Sequence, residues 1–480
     1  MMREYLNEPI IAIIAPAGYG KTEEIADAVK CCKGKQLILT HTRAGVAALQ
    51  NRMKRKQIDD NQFAIDTIAA FCLKWCKAYP HTAEVTIPDN ISDINYSELY
   101  RGTKRIFLQN WAKDIIQQSY SGLFIDEYQD CTESQHSIFM ELVNVLPIRI
   151  FGDPLQGIFY WVKDDPIVDW NNFQFKVIRP LTKAWRWENS NKELGLYLRD
   201  VRNKLIESLH GKDVSIAVKN KGGCVSVLNT NQWNNGKYVY SIKKYENIVY
   251  LTTISKVQKE FSLHNGGYFQ CDEVKDLSDV EKVIEKIESQ HNEAKALELI
   301  TALQDMINAI RQELKSYINH LSKKDTDFSR IKKYDKLGML IKNVCKENSV
   351  LSVLQVLNWF AKSENDKFKI YRKEMFYRIK KIYAYMAEKN ISLHEAVNIL
   401  NNQQYFDIQP FNFSRLSSRT VLTKGLEFDC VIIDARYNMD VRDFYVAMTR
   451  AKRYIYIITD EDVLHFDGIY SEEEIPLDLI

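Results

Sequence analysis

The sequence predicts an α/β protein with two parallel-sheet domains, the second of which carries a helical insertion. At 480 residues the chain exceeds the size at which one hydrophobic core keeps growing. Short apolar runs alternate with amphipathic stretches from residue 10 to about 187 and again after residue 224, as in parallel sheets covered by helices. Residues 274–404 instead show helical spacing, no proline and a single glycine.

The predicted strands end at polar clusters, which is where ligands bind in an open α/β sheet. In the first domain we predict strands at 10–15, 36–40, 123–125 and 148–151. In the second domain we predict strands at 224–228, 248–251, 430–434 and 454–459.

These patterns divide the chain into two domains, a helical insertion and a linker. Residues 1–210 form the first domain, with a small insertion at about 74–111, where prolines and turn-forming residues loosen the pattern. Residues 222–273 and 405–480 form the second domain, and residues 274–404 form its helical insertion. Residues 211–223 are predicted to be a linker.

Composition excludes several classes of protein. The nine cysteines contain no CxxC pair, which favours a reduced, cytoplasmic setting over a disulfide scaffold. No run approaches the roughly 20 apolar residues that a membrane span requires, so we expect no membrane partner. The net charge of +2 gives no general attraction to nucleic acid, and any such binding must come from local patches.

A glycine-rich turn between the first strand and the first helix predicts a phosphate site. Gly18 and Gly20 allow the tight turn whose backbone N–H groups surround a phosphate at a helix N-terminus. Lys21 is then expected to contact the β- and γ-phosphates, and Thr22 to hold Mg²⁺. The first glycine of the usual GxxxxGKT pattern is Ala15 here. The expected nucleotide-binding residues of this loop are Ala17, Gly18, Tyr19, Gly20, Lys21 and Thr22.

Two carboxylates follow the third predicted strand. Asp126 is expected to reach Mg²⁺, and Glu127 to orient or deprotonate the attacking water. An acidic pair alone is often only a solvated strand end. Together with the phosphate loop it predicts ATP hydrolysis.

With these residues in view, the chain resembles the UvrD/Rep-like branch of superfamily 1 helicases. Matching motifs occur in the family's order along almost the whole chain. They are the segments 39–48, 126–130, 152–159, 184–186, 424–429 and 444–452.

The resemblance implies a role for each matched residue. It makes Gln156 the γ-phosphate sensor and places Arg186 and Arg450 near the γ-phosphate, with Arg450 supplied by the second domain. It places Trp185 over adenine, with Gly425 and Glu427 beside the nucleotide. It assigns nucleic-acid contacts to Thr40, His41, Phe159 and Trp161.

The same resemblance implies two RecA-like P-loop domains that use ATP and Mg²⁺ to move 3′ to 5′ on single-stranded or partly duplex DNA, in repair or anti-phage defence. Some positions depart from the family pattern. No glutamine stands where adenine is usually contacted, His41 replaces an aromatic residue, and Val421 replaces a common histidine.

The short accessory regions also resemble the helicase-like subunit of Gabija-type anti-phage systems, which implies an OLD-family nuclease as partner. This likeness leaves a second hypothesis open: a nucleotide-gated, DNA-sensing subunit that regulates a nuclease with little unwinding of its own.

Two other clusters have ordinary structural readings. Cys72 and Cys76 are expected on the buried face of a helix, because two cysteines alone make no metal site. The aromatic and basic residues of 371–378 are expected to form an amphipathic helix, with a partner-binding or DNA-facing surface as the alternative.

Overall fold

The computed structural model of the chain describes residues 4–88, 94–158, 164–168, 170, 175–236, 238–266, 268–272, 278–362, 367–406 and 414–469. The chain divides into two compact units. Unit 1 comprises Met1–Asp89, Asp93–Thr253 and Thr423–Ile480, and unit 2 comprises Asn90–Ser92 and Ile254–Leu422.

Unit 1 begins with a six-stranded sheet in which every pairing is parallel. In space the strands follow the order β3-β2-β4-β5-β1-β6. Their bounds are β1 Ile10–Ile14, β2 Gln36–Thr40, β3 Phe63–Thr67, β4 Gly122–Ile125, β5 Ile148–Gly152 and β6 Lys176–Ile178.

Helices cover this sheet and connect its strands. The phosphate-loop helix α1 packs with Ile25 and Val29 against apolar side chains of the sheet, which fixes its N-terminus at the carboxyl edge of β1. The helices are α1 Lys21–Cys31, α2 Arg43–Arg55, α3 Ile68–Ala78, α4 Pro80–Ala83, α5 Tyr96–Phe107, α6 Asn110–Ser119, α7 Glu133–Met140, α8 Trp185–Glu188 and α9 Lys192–Leu205.

The region predicted as a loose insertion is largely helical. Helix α3 continues to Ala78, and its Cys72 and Cys76 are buried against α5. The Thr103 hydroxyl donates a hydrogen bond to Leu99 O at 2.9 Å and lies 3.4 Å from Cys76 Sγ. The expectation that these cysteines mark a buried helix face is confirmed.

The chain then passes through β7 Val214–Ala217, β8 Val225–Leu228, α10 Thr230–Asn234, α11 Tyr238–Ile242 and β9 Ile248–Thr252. Strand β7 lies inside the segment predicted to be a linker. Its alternating buried residues, Val214 and Ile216, pack on one face while the strand pairs antiparallel with residues 463–466. A four-residue strand with two buried side chains is too short for the alternation of apolar and polar residues to be recognised in the sequence.

Unit 2 is mainly helical. Its elements are α12 Ser255–His264, β10 Gln270–Cys271, α13 Ser278–Glu288, α14 Asn292–Gln304, α15 Ile310–Glu313, α16 Lys315–Ser322, α17 Asp335–Glu347, α18 Val350–Lys362, α19 Lys373–Lys389, α20 Leu393–Phe406 and β11 Arg415–Arg419. Strands β10 and β11 pair in parallel. Helices α13 to α20 share one apolar core, to which α19 contributes Phe376, Ile379 and Tyr383.

The chain returns to unit 1 with β12 Phe428–Asp434, α21 Val441–Thr449, β13 Ala451–Ile458 and β14 Val463–Phe466. Within this unit β9, β12, β13 and β8 lie side by side in that order and pair in parallel. The pairing confirms the predicted α/β class with parallel sheets. The predicted domain boundaries stay predictions.

Candidate active site

The turn between β1 and α1 has the backbone that its glycines allow. Gly18 and Gly20 have φ values of 76° and 88°, a left-handed conformation that suits glycine. A Cβ added to Gly18 would lie 2.8 Å from the Trp187 ring. Gly20 immediately precedes α1, so the unbonded amides of the first helical turn face the end of the loop.

Lys21 is buried beside this loop. Its Nζ donates hydrogen bonds to the carbonyl oxygens of Ala15, at 2.9 Å, and Pro16, at 3.4 Å. Burial lowers the pKa of the ammonium, and the negative charge of Glu127 acts against that shift. An ammonium held by two neutral carbonyls in a buried place is well suited to receive an anion.

Thr22 and Asp126 meet across the loop and the end of β4. The Thr22 hydroxyl donates to Asp126 Oδ2 at 3.2 Å, and the amide of Glu127 donates to Asp126 Oδ1 at 3.0 Å. Burial and the neighbouring charge of Glu127 raise the pKa of Asp126 to about 7. The pair supplies two adjacent oxygen donors.

Glu127 is held in a constrained conformation. Its φ of 57° is left-handed, which is uncommon for a residue other than glycine. Gln129 Nε2 donates to Glu127 Oε2 at 2.5 Å. Burial acts to raise the pKa of Glu127, but the charges of Lys21 and Lys424 outweigh it and lower the value to about 2. The carboxylate is therefore ionised and fixed toward the cavity.

A buried hydrogen-bond network orients Gln156 at the end of β5. The side-chain Nε2 of Gln156 donates to Asp153 Oδ2 at 2.9 Å. Arg202 Nη2 donates to Asp153 Oδ1 at 2.8 Å, and the Asp153 amide donates to Gln129 Oε1 at 3.0 Å. This network fixes the side chain that was predicted to sense the γ-phosphate.

Arg450, at the end of α21, enters the same site. Its guanidinium is buried, donating from Nε to Val446 O at 3.0 Å and from Nη2 to Gln156 Oε1 at 3.5 Å. Burial, followed by the positive charge of Arg186, lowers the pKa of Arg450 to about 10. Two guanidinium groups facing one cavity favour an anion between them.

Arg186 ties α8 to the loop that precedes β12. Its Nη2 donates to Glu427 Oε1 at 2.7 Å, and its Nη1 donates to Thr449 O at 2.5 Å. The indole N–H of Trp187 donates to Ala451 O at 2.8 Å. These bonds join the segments that carry Arg186 and Arg450.

The surrounding space is a cavity of about 640 Å³. Trp185 stands at its wall with 59% of its surface exposed, and Lys183 Nζ lies 4.1 Å from the centre of its ring. The predicted residues that line the cavity are Ala17, Gly18, Gly20, Lys21, Thr22, Thr40, His41, Asp126, Glu127, Gln156, Trp185, Arg186, Gly425, Glu427 and Arg450. Tyr19 belongs to the loop but is not among the lining residues.

The predicted nucleic-acid residues have different placements. Thr40 and His41 lie in the wall of this same cavity, and His41 Nε2 is 3.4 Å from Cys131 Sγ. Burial and the charge of Lys424 lower the pKa of His41 to about 3, so the ring is neutral at neutral pH. Phe159 and Trp161 lie outside the described residues. The predicted contacts of these four residues with nucleic acid stay predictions.

Four contributors to the site, Lys424, Arg202, Asp153 and Tyr445, were given no role by the sequence alone. Lys424 Nζ donates to Asp130 Oδ2 and, at 2.6 Å, to Gln156 O. Arg202 bonds to Asp153, and Tyr445 accepts a hydrogen bond from the amide of Ala17 at 3.4 Å. Lys424, Asp153 and Tyr445 stand inside matched motifs, which was the available signal. Arg202 carried no signal of its own.

Among the described residues, no group of three or more histidine, cysteine, aspartate or glutamate side chains is arranged to hold a metal ion. None of the helices they form is long and apolar enough to cross a bilayer.

Residues 1–160 match a family described as an AAA domain. The chain is 37% identical over 79 residues to the Gabija protein GajB of Bacillus cereus (strain VD045), a match that covers 14% of this chain and 16% of that protein. The chain therefore spans a small part of this curated relative. The AAA match covers the segment in which the phosphate loop and the acidic pair were predicted, and the GajB match confirms the predicted Gabija-type likeness over the aligned segment.

Two solved structures are also among those that match this chain. The Pif1 helicase from Bacteroides in complex with ADP-AlF3 and ssDNA is 11% identical, with 99% of this chain and 95% of that chain covered and a TM-score of 0.37. The arterivirus nonstructural protein 10 (helicase) with DNA is 9% identical, with 96% and 62% covered and a TM-score of 0.36.

Proposed function

We propose that this chain is an ATP-dependent DNA translocase or helicase of the UvrD/Rep-like type. The observation that carries the proposal is the single cavity in which Lys21, Glu127 and Arg450 meet. A phosphate loop, an acidic strand end and an arginine from a distant part of the chain are the parts that phosphoryl transfer to water requires.

The cavity fits a nucleoside triphosphate in size and charge. Its volume of about 640 Å³ lies in the range of small-molecule sites. Lys21, Arg186 and Arg450 bring positive charge to it, and the first turn of α1 brings free amide donors. Trp185, exposed at the wall, offers a flat surface for the base.

Thr22 and Asp126 suit a magnesium ion, because their hydroxyl and carboxylate oxygens are the hard donors that Mg²⁺ prefers. When bound, the ion would neutralise charge on the phosphates. Ionisation of Asp126, whose pKa is raised by burial, is then favoured by the cation.

The remaining side chains divide the chemistry. Glu127, ionised and fixed by Gln129, accepts a proton from the attacking water or orients it. Gln156 contacts the terminal phosphate, and Arg186 and Arg450 stabilise its developing charge. An arginine in this role contributes about 10³ to 10⁵ in rate.

DNA is the proposed track. The motif order supports it, and two similar folds are helicases whose complexes contain ssDNA or DNA. Movement from 3′ to 5′ follows from the family resemblance. Alternate opening and closing around ATP would change the grip on the strand.

A second function is favoured by the GajB likeness. In this alternative the chain is a nucleotide-gated DNA sensor that regulates a partner nuclease, which we propose to be of the OLD family, and it unwinds little DNA by itself. Both functions use the same ATP site.

The test of the site is the rate of ATP hydrolysis with no nucleic acid, single-stranded DNA, RNA or duplex DNA. We expect stimulation by single-stranded DNA and loss of hydrolysis in Lys21→Ala, because the buried cation that faces the phosphates is removed. Lys176→Ala is the control, since Lys176 forms an exposed ion pair with Glu8 away from the cavity. Unchanged hydrolysis in Lys21→Ala would exclude the assignment.

Strand displacement by the isolated chain separates the two functions. Efficient unwinding favours the motor. ATP hydrolysis stimulated by DNA without unwinding, together with nucleotide-dependent capture of a nuclease encoded beside this protein, favours the sensor.

A further inference from the structure

Tyr445 makes a contact that the proposed chemistry does not use. It is 2% exposed and lies on α21. Its hydroxyl accepts a hydrogen bond from the amide of Ala17 at 3.4 Å. Backbone amides of such a loop are the donors that surround phosphate, so a side chain of α21 reaches the phosphate loop directly.

Arg202 links this tyrosine to the end of β5. Its guanidinium carbon lies 6.0 Å from the centre of the Tyr445 ring, and its Nη2 donates to Asp153 Oδ1 at 2.8 Å. The Asp153 side chain is fully buried, and the Arg202 side chain is 12% exposed. A charged hydrogen bond in such a place holds its partners firmly, because water does not compete.

The network continues from Asp153 to Arg450. Asp153 Oδ2 accepts a hydrogen bond from the side-chain Nε2 of Gln156 at 2.9 Å, and Gln156 Oε1 accepts one from Arg450 Nη2 at 3.5 Å. Tyr445 and Arg450 are five residues apart, at α21 and its C-terminal end. The contacts therefore form a closed ring that starts and ends on this helix.

We propose that Tyr445 is a positioning residue that couples the phosphate loop to Arg450. The inference rests on the proposed ATPase function. The tyrosine hydroxyl holds α21 in place against Ala17. Arg202 and Asp153 hold the opposite side of the closed ring of contacts. Arg450 then faces the terminal phosphate only when α21 is seated on the loop. Tyr445 contacts no reacting atom.

The test is the steady-state kinetics of Tyr445→Phe, which removes one oxygen and keeps the ring. We expect the kcat for ATP hydrolysis to fall about tenfold, the effect of losing one hydrogen bond in the transition state. The KM for ATP should stay within about twofold, because the contacts of Lys21 with the phosphates are intact.

Tyr456→Phe is the matched control. Tyr456 lies on β13, and its hydroxyl donates to Ser241 Oγ at 2.8 Å. Tyr456 is not among the residues that line the cavity. We expect both variants to keep the thermal midpoint of the wild type within a few degrees, and Tyr456→Phe to keep its kcat.

The kcat of a double variant distinguishes coupling through this ring of contacts from a merely structural role of Tyr445. Arg202→Lys keeps a positive charge but loses the guanidinium fork, so we expect it to lower kcat as well. The double variant Tyr445→Phe with Arg202→Lys should be no slower than the slower single variant, because both break the same ring.

Independent, multiplying effects in the double variant would overturn the inference. So would a wild-type kcat in Tyr445→Phe, or a raised KM at unchanged kcat. Absence of ATP hydrolysis in the wild type would contradict the proposed function itself, and the inference with it.

Discussion

Buried charge is the main property of the individual residues at this site. Lys21 and Glu127 lie in one cavity, where burial disfavours both charged forms and each charge favours the other. The opposing pKa shifts of Asp126, to about 7, and Glu127, to about 2, distinguish two adjacent carboxylates. Carboxylates whose surroundings separate their pKa values are suited to different roles.

Glu127→Gln tests the role of the ionised carboxylate. We expect kcat for ATP hydrolysis to fall by about 10² to 10⁴, the usual contribution of a general base. Affinity for a fluorescent ATP analogue should not fall, because removing a negative charge near Lys21 does not weaken the attraction to phosphate. Steady-state hydrolysis and fluorescence titration measure the two effects.

Glu207→Gln is the control for this change, since Glu207 pairs with Lys212 at the surface. A fall in kcat of less than about threefold in Glu127→Gln would be far smaller than the contribution of a general base. That result would assign the role of general base to another group.

At the scale of elements, the two units depend on different kinds of packing. In unit 1 the parallel strands place polar residues at their carboxyl ends, and α1 and the residue after α21 bring Lys21 and Arg450 to the cavity. Helix α9 supports the site from outside the cavity, through the bond of Arg202 to Asp153. In unit 2, the apolar side chains of helices α13 to α20 pack together in one shared core. The stability of unit 2 should therefore follow the burial of single apolar side chains.

Helix α18 offers a direct comparison. Leu357 is 1% exposed in the core of unit 2, whereas Leu351 on the same helix is 53% exposed. We expect Leu357→Ala to lower the free energy of unfolding by about 2 to 5 kcal/mol, from lost burial and the cavity left behind. Leu351→Ala should change it by less than about 0.5 kcal/mol.

Chemical denaturation followed by tryptophan fluorescence measures this difference. Trp359, which packs against the same core, is one of the eight tryptophans that contribute to the signal. Equal losses in the two leucine variants would contradict the described orientation of α18.

At the scale of the whole molecule, residues distant in the sequence complete one site. Lys424 and Asp130 are 294 positions apart, and both side chains are almost fully buried. Burial raises the pKa of Asp130 to about 6 even though Lys424 opposes the shift. Removing the lysine would leave a buried carboxylate without its cation.

Lys424→Ala should therefore lower the free energy of unfolding by about 3 to 5 kcal/mol, the cost of breaking a buried ion pair. The double variant Lys424→Met with Asp130→Leu should recover much of this loss, because no uncompensated charge remains. The exposed pair of Lys176 and Glu8 provides the comparison, with an expected loss of about 0 to 1 kcal/mol in Lys176→Ala.

Thermal and chemical unfolding of the four proteins measure these differences. If Lys424→Ala were no less stable than Lys176→Ala, the buried pair would contribute nothing to stability.

Much of the first sheet could be predicted from sequence because its strands are apolar runs that end at polar turns. Strand β2 was predicted with its observed bounds, and β1 to within one residue. Strand β3 was not predicted, since its side chains are only partly buried and Asp66 interrupts the run. The helices around α5 were not predicted, because Pro80, Pro88 and several asparagine and aspartate residues interrupt the pattern in this region.

The phosphate loop, the acidic pair and the parallel-sheet class could be predicted from sequence, because they depend on neighbouring residues and local periodicity. The distant groups that complete the site became known only from the folded chain. Lys424 on Asp130, Arg202 on Asp153 and Tyr445 on Ala17 are contacts between elements far apart in the chain. These contacts form because of the way the strands and helices pack. Such packing has no characteristic residue spacing, so the contacts could not be predicted from the sequence.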